Sequence, residues 1–291
     1  LFVDVEQLRG DRTLDLTLLK GRQWDAVLDT CGYVPRVVRA SAELLAGAVG
    51  HYTFISTGSV YEEFGAMPFT ETSALAVMTD PTVEEITNET YGPLKAVCEQ
   101  AVETALPGRT LIIRPGLIVG PHDPTDRFTY WPTRVAKGGE VLAPDHPGRK
   151  GQVLDVRDLG EWTLRLIEAG TIGLYNACGP AEPYRLGDLL DICERVSGSG
   201  ATFTWVSEDF LLGHEVTPWM EIPLWLPATD FLMDIDKALA AGLTHRPLAV
   251  TVADTFAWQN DRPGDYEWKA GLKPERERAL LEAWRQEQAD R

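Results

Sequence analysis

Tyr91 and Lys95 stand four residues apart in a segment with helical periodicity, so both side chains leave one face of a helix about a turn apart. A phenol titrating near ~10 is a poor acid or base at neutral pH, and an ammonium held close stabilises the phenolate and lowers that value. With a hydroxyl such as that of Thr57 binding a substrate oxygen, Tyr91 would give or take the proton on it. These three residues form the candidate catalytic set. Other chemistry-bearing residue types show no such pattern. Cys31, Cys98, Cys178 and Cys193 are scattered, and His51, His122, His146, His214 and His245 lack ligand spacing, so no metal and no disulfide framework is expected.

Up to about residue 180, short β-branched runs alternate with helical patterns, the signature of parallel βαβ units. Strands are expected at 24–29, 52–56, 109–114, 152–156 and 173–177, with helices at 36–47, 88–106 and 158–169. Residues 61–87 read as a long acidic loop. After Gly179-Pro180 the alternation weakens to a helix near 186–196, an aromatic- and proline-rich stretch from Phe203 to Phe231, and helices near 235–241, 250–259 and 275–288. The expected class is α/β: a doubly wound parallel sheet in residues 1–180, with a smaller C-terminal substrate or lid region in 181–291. Ligands of such sheets bind beyond the carboxyl ends of the strands. Thr57 follows one strand, Pro115-Gly116-Leu117-Ile118 follows another, and Tyr91 and Lys95 lie between them in sequence.

Ordinary globular usage, with 44% hydrophobic and 24% charged residues in 291, accommodates one large core and a subdomain. The balance of 27 basic against 44 acidic residues gives a net charge of −17, the wrong sign for neutralising a phosphate backbone, which excludes nucleic acid as a partner. No run approaches the roughly 18 apolar residues of a membrane span. Asp4, Glu6, Asp11 and Asp15 occupy the stretch where a signal peptide is basic and then apolar. A soluble, cytoplasmic protein with no membrane partner is expected. Glu62, Glu63, Glu71, Glu84, Glu85 and Glu89 read as a solvated acidic face.

The order Ser56-Thr57-Gly58-Ser59-Val60-Tyr61, then Tyr91-x-x-x-Lys95, then Arg114-Pro115-Gly116 resembles the short-chain dehydrogenase/reductase superfamily. Within it, the chain is similar to the extended or atypical branch of NAD-dependent epimerases and dehydratases, across about residues 8–180. The resemblance implies a Rossmann-like fold, NAD or NADP as cofactor, and catalysis by Thr57, Tyr91 and Lys95. Gly10-Asp11-Arg12 matches the segment whose Asp touches adenine, which nominates Asp11 and Arg12. Thr30, Cys31 and Gly32 match the turn beside the cofactor ribose and diphosphate, Pro115, Gly116, Leu117 and Ile118 the segment holding the carboxamide, and Tyr91 with Lys95 the ribose contacts. Ser59, Tyr130, Trp131 and Trp219 are the substrate-side candidates.

Several departures narrow the expectation. The glycine-rich βαβ unit of the family is absent from this sequence, its place falling before Leu1. Gly58 and Ser59 replace the Asp-Glu of dehydratases, Leu117 replaces an Asn of nucleotide-sugar enzymes, and Gly151 replaces their Arg, with Arg149 and Lys150 nearby. Without those contacts a diphosphate is poorly paired. The expected enzyme is therefore an NAD(P)-dependent reductase or dehydrogenase for a small apolar or aromatic molecule, with Trp205, Phe210, Trp219, Trp225 and Phe231 either lidding it or closing the C-terminal core. A nucleotide-sugar epimerase and a non-catalytic cofactor sensor are the alternatives. Homodimerisation through helices 36–47 and 88–106 would use Ala96, Val97, Val102 and Ala105.

Overall fold

A computed structural model describes residues 4–62, 68–80, 82–227, 229–230 and 232–290. Glu63 and Phe231, singled out above, lie outside the described residues. The chain divides into two compact units, one drawing on residues up to 62, on 69–116 and on 162–177, the other on 117–161 and on 178 onward.

The first unit runs β1 (Trp24–Asp29), α1 (Pro35–Leu45), β2 (Val49–Ile55), α2 (Tyr91–Ala105) and β3 (Thr110–Pro115). The second continues with β4 (Ile118–Val119), α3 (Tyr130–Ala136), β5 (Glu140–Pro144), β6 (Lys150–Gly151) and β7 (Leu154–Asp155). Helix α4 (Val156–Glu168) begins among residues of the second unit and ends among those of the first, which closes with β8 (Gly173–Ala177). Then come β9 (Tyr184–Arg185), α5 (Leu186–Ser197), β10 (Thr202–Val206), α6 (Glu208–Gly213), α7 (Asp236–Ala240), α8 (Leu248–Asn260) and α9 (Pro274–Ala289). Among the described residues no helix is long and apolar enough to cross a membrane.

The sheet of the first unit has the order β1-β2-β3-β8 and is parallel throughout, as the alternation of strand and helix patterns predicts. Its register sets Leu28 against Thr53, Phe54 against Ile112 and Ile113 against Tyr175. Strand β3 is buried along its whole length, whereas β1 is an edge with Leu28 42% exposed and no described strand on its free side. Pro35 opens α1, where its missing N–H costs no intrahelical bond. Val38 and Ala42 of α1 meet Cys98 and Val102 of α2 over Tyr52, Phe54 and Ile112. Of the surface expected for dimerisation, Ala96 and Val102 are buried inside this unit, and Val97 and Ala105 are half-buried.

The second unit is built round aromatic and aliphatic side chains, among them Phe128, Trp131, Val141, Leu189, Leu211 and Trp225. Its small sheets pair β5 with β10 and β4 with β7 in parallel, and β6 with β9 antiparallel. The sequence pattern shows neither α3 nor the β5–β10 pair. Helix α3 has only seven residues with Pro132 in its first turn, where a missing donor is harmless, and its periodicity is too brief to register. The strand expected at 152–156 shrinks to Leu154–Asp155. Gln152 turns its amide to the carbonyls of Pro180 and Met233, and the Asp155 carboxylate accepts from the Arg157 N–H at 2.9 Å, starting α4 two residues early.

Candidate active site

Within the first unit, the chain leaves β2 at Ser56 and enters a single 3₁₀ turn, Gly58–Val60, that Thr57 caps. The Thr57 hydroxyl accepts from the Ser59 N–H at 3.1 Å and lies 3.3 Å from the Ser59 hydroxyl. Helix α2 starts at Tyr91 rather than near Asn88 because Thr87 and Thr90 hold the preceding residues in a turn. Thr87 N–H donates to the Thr90 hydroxyl at 2.8 Å, and that hydroxyl donates to the Glu85 carbonyl at 2.6 Å.

Gly92 explains how these two segments meet. A Cβ there would come 2.1 Å from the Ser59 carbonyl oxygen, so only glycine lets the first turn of α2 press against the turn that follows Thr57. Tyr91, Thr57 and Ser59 are thereby brought to the same strand end. The Tyr91 ring is 6.4 Å from that of Tyr33, which emerges just after β1.

Lys95 sits one turn further along α2 and is only 2% exposed. Its ammonium donates to the carbonyls of Gly32 and Ile55, each at 2.7 Å, and stands 4.1 Å from the centroid of Phe54. It therefore ties the carboxyl end of β1 to that of β2. Burial pushes its pKa down to about 8, against the opposing pull of Asp29 and Glu99. Gly32 is as constrained as Gly92, since a Cβ would meet the Phe54 ring at 2.5 Å and Val38 at 2.7 Å. Thr30 and Cys31 beside it are exposed.

Arg12 folds onto the same strand end. It forks the Asp29 carboxylate at 2.6 and 2.5 Å and reaches the Ser41 hydroxyl at 2.8 Å, while Tyr52 donates to Asp29 at 2.8 Å. Burial alone would raise the Asp29 carboxyl, and the Arg12 fork more than reverses this, leaving it below the usual range. Asp11 is exposed and accepts from the N–H and hydroxyl of its own neighbour Thr13, at 2.8 and 2.6 Å. Pro115 is buried at the end of β3, and the Gly116 N–H donates to the Ala177 carbonyl at 2.9 Å. Leu117 and Ile118 belong to the second unit, where the Leu117 carbonyl accepts from Leu154 and Ile118 pairs with Leu154.

The remaining substrate-side candidates also lie in the second unit. Trp131 is fully buried, with its indole N–H donating to the Pro223 carbonyl at 3.0 Å. Tyr130, packed edge-on at 5.0 Å, fills the space beside Gly271. Trp219 is half-buried, with Arg127 5.9 Å from its ring centroid.

Sequence reasoning missed a buried network behind α2. Arg114 of β3 forks Glu99 at 2.9 and 2.6 Å and donates to the Tyr61 hydroxyl at 3.1 Å, which donates to the Asn176 side-chain oxygen at 2.5 Å. Asn176 in turn donates to Glu71 at 3.0 Å and to the Phe69 carbonyl at 3.3 Å. The signal was present: Tyr91, Lys95 and Glu99 share one helical face at spacings of four, and a carboxylate beside a lysine on the buried stripe demands a partner. Tyr33 and Gly92 needed only inspection of the residues next to those nominated. Glu71 and Glu84 of the acidic loop are also engaged, Glu84 with Arg36 at 2.7 Å.

The polar groups gathered at these strand ends suit the nicotinamide ribose of a dinucleotide. The Ser56 hydroxyl, between Ile55 and Thr57 in the chain, is buried with no hydrogen-bond partner among the described residues, and Lys95 has a third N–H beyond its two carbonyl contacts. Among the described residues no group of three or more His, Cys, Asp or Glu is placed to hold a metal ion.

No protein-family model matches the sequence, and no curated protein does. Solved structures match the fold. RMD from Pseudomonas aeruginosa, complexed with NADPH, superposes with a TM-score of 0.57 at 16% identity, covering 82% of each chain. UDP-N-acetylglucosamine 4-epimerase from Bacillus cereus gives 0.59 at 12% identity over 80% of this chain and 72% of that one. UDP-glucuronic acid 4-epimerase from Bacillus cereus, in complex with NAD, gives 0.56 at 18% identity over 77% of this chain, which spans 66% of that protein's length, just under two thirds. The likeness at these identities is one of fold: the Rossmann-type parallel sheet expected from the resemblance to extended short-chain dehydrogenases is the fold found.

Proposed function

We propose that this protein is an NAD(P)-dependent oxidoreductase acting at a carbon that bears oxygen, with Tyr91 as acid/base, Thr57 binding the substrate oxygen and Lys95 orienting the cofactor ribose. The observation that carries the proposal is the contact of the first turn of α2 with the turn after Thr57, permitted by Gly92. Three of the fold neighbours, named for RMD, UDP-glucuronic acid 4-epimerase and dTDP-4-dehydrorhamnose reductase, hold NAD or NADP(H). A bound NAD(P) would supply the hydride acceptor or donor. Its nicotinamide ribose would lie against Tyr91 and the third N–H of Lys95, with the Pro115-Gly116 turn at the carboxamide. Asp11, Arg12, Thr30, Cys31 and Gly32 would border the rest of it, and Arg12, already forked to Asp29, would act by holding that border.

The chain's own residues divide the work. Thr57, fixed as the cap of its turn, presents a hydroxyl to the substrate oxygen, and the Tyr91 phenol moves the proton at that atom. Ser59, bonded to Thr57, steadies that hydroxyl. The substrate is mainly apolar or aromatic: Gly151, which stands where nucleotide-sugar enzymes carry an arginine, has its side-chain space filled by Tyr184, and Arg149 is engaged by Asp145, Glu208 and two carbonyls. The chain pairs as a homodimer through the part of α2 that stays accessible, Val97 and Ala105.

Turnover of NAD(P)H against a panel of aromatic and alicyclic ketones tests this reading. Tyr91→Phe is expected to lose at least about a hundredfold in kcat/KM, the usual order for general acid–base catalysis. Undiminished turnover in that variant would assign the acid elsewhere. One observation favours a second reading, a cofactor-binding protein without turnover: Lys95 spends two of its three donors on backbone carbonyls. Micromolar NAD(P)H binding with no turnover on the whole panel would select it.

A further inference from the structure

Gly92 lets α2 approach the turn that follows Thr57, but close approach has no direction and by itself leaves a helix free to slide. The buried network behind α2 grips both sides of that contact. Tyr61 ends the turn that Thr57 begins: its N–H donates to the Gly58 carbonyl, and the Val60 N–H to the Thr57 carbonyl, each at 3.4 Å. Glu99 lies eight residues along α2 from Tyr91, about 12 Å down the same side of the helix. The Arg114 guanidinium spans the two, forking the Glu99 carboxylate at 2.9 and 2.6 Å and donating to the Tyr61 hydroxyl at 3.1 Å. That hydroxyl donates onward to the Asn176 side-chain oxygen at 2.5 Å, which moors the assembly to β8.

These groups are out of water. Tyr61 is 1% exposed, Glu99 and Arg114 are buried as deeply, and Asn176 is fully buried. The Tyr61 ring stacks on Phe69 with centroids 5.0 Å apart and planes at 12°, and the Arg114 guanidinium stands 5.0 Å from its centroid, so the ring is held from two sides. Burial raises the Tyr61 pKa, so the phenol stays protonated at neutral pH and goes on accepting from Arg114 and donating to Asn176. A buried ion pair adds little stability over apolar side chains of the same volume. What it adds here is direction, because each bond tolerates only a few tenths of an ångström. Proton transfer is as demanding: donor and acceptor must come within about 2.6–3.2 Å, and a misplacement of about 1 Å costs on the order of a hundredfold in rate.

We propose that Tyr61 is a positioning residue: through Arg114 and Glu99 it fixes the turn that carries Thr57 at one height on α2, so that the Thr57 hydroxyl and the Tyr91 phenol meet the same substrate oxygen. The roles of Thr57 and Tyr91 rest on the function proposed above; the coupling of the turn to the helix does not. Steady-state kinetics on the ketone panel and residue-resolved hydrogen exchange, both on the full chain, test it. Tyr61→Phe is expected to lower kcat about tenfold while KM and the NAD(P)H Kd stay within about twofold. The Ser59 and Val60 amides should exchange about fivefold to tenfold faster, the worth of one hydrogen bond, with those of Ile112 and Ile113 in β3 unchanged. Glu99→Met combined with Arg114→Met keeps the volume and removes the bonds, and is expected to keep most of the stability yet lose at least about tenfold in kcat. Should the double variant fail to fold, the near-isosteric Tyr61→Phe decides. Wild-type kcat in Tyr61→Phe, wild-type kcat in a stable double variant, or unchanged exchange at Ser59 and Val60 would each overturn the proposal. No turnover by the wild-type chain, with exchange at Ser59 and Val60 still quickened by Tyr61→Phe, would remove the oxidoreductase reading and leave Tyr61 as the residue that fixes the turn against α2.

Discussion

The two units bury charge for different ends. In the first, charged side chains pass between helix and sheet: Lys95 joins α2 to the ends of β1 and β2, Glu99 joins it to Arg114 of β3, and Arg12 closes on Asp29, all next to the candidate catalytic residues. In the second, the interior is aromatic and aliphatic, and buried carboxylates fasten loops around it. Asp126 takes Arg262, Tyr266 and the Lys269 N–H, and Glu277 takes Arg134 and the Leu142 N–H. The first unit therefore depends on its charges being paired, the second on its volume being filled. A polar interior positions reacting groups at the cost of a fragile balance; a packed interior is sturdy and leaves function to its loops.

The largest effect expected is in the packed unit. Trp131→Ala should cost about 4 kcal/mol, from the cavity and from the stranded Pro223 carbonyl, as read by urea unfolding. A loss under 1 kcal/mol would mean that the unit tolerates empty volume. Next, Arg114→Met should destabilise by about 3 kcal/mol, because Glu99 is left charged and buried, and adding Glu99→Met should recover most of it. Failure of the double variant to recover would show that packing, not pairing, holds the first unit as well.

Lys95 supplies a smaller, pH-dependent effect. A lysine whose folded-state pKa is lowered to about 8 penalises folding below that value, and the penalty fades as pH rises through it towards the unfolded value near ~10.4. Wild-type stability is expected to gain about 2 kcal/mol relative to Lys95→Met between pH 7 and pH 9.5. A flat difference would place the ammonium in water. The smallest effect concerns a loop of the second unit: Ser207 caps α6 by accepting from the Phe210 N–H at 3.3 Å, and Ser207→Ala should lower stability by about 1 kcal/mol in thermal melts.

Much of the first unit was legible in the residues. The runs 24–29 and 173–177 are strands at the predicted limits, because each is a short apolar or β-branched run bounded by turn residues. That Tyr91 and Lys95 share helix α2 a turn apart follows from their spacing, while their pairing as a catalytic set rests on the family resemblance. What spacing could not show is that the donors of Lys95 go to backbone carbonyls, since nothing in a sequence marks which carbonyl oxygens a fold leaves unpaired. The second unit was harder to read. Its strands β5 and β10 are brought together from 140–144 and 202–206 by tertiary packing, and α3 is too short for a period to emerge. Trp131 illustrates the difficulty: an aromatic beside arginines looks like ligand surface, yet it is fully buried and its indole holds a loop.

The central place of β2 has a consequence for exchange with solvent. The N–H groups of Tyr52 and Ser56 donate to the carbonyls of Arg109 and Ile113, towards β3, and the two-residue period of a strand gives Phe54 the same direction. The amides of Thr53 and Ile55 face the other way, towards β1. In deuterated buffer one strand should then report on two pairings, Tyr52 and Phe54 losing their protons when β3 parts from it and Thr53 and Ile55 when β1 does. Residue-resolved hydrogen exchange would read β2 as a comb whose alternate teeth belong to different neighbours.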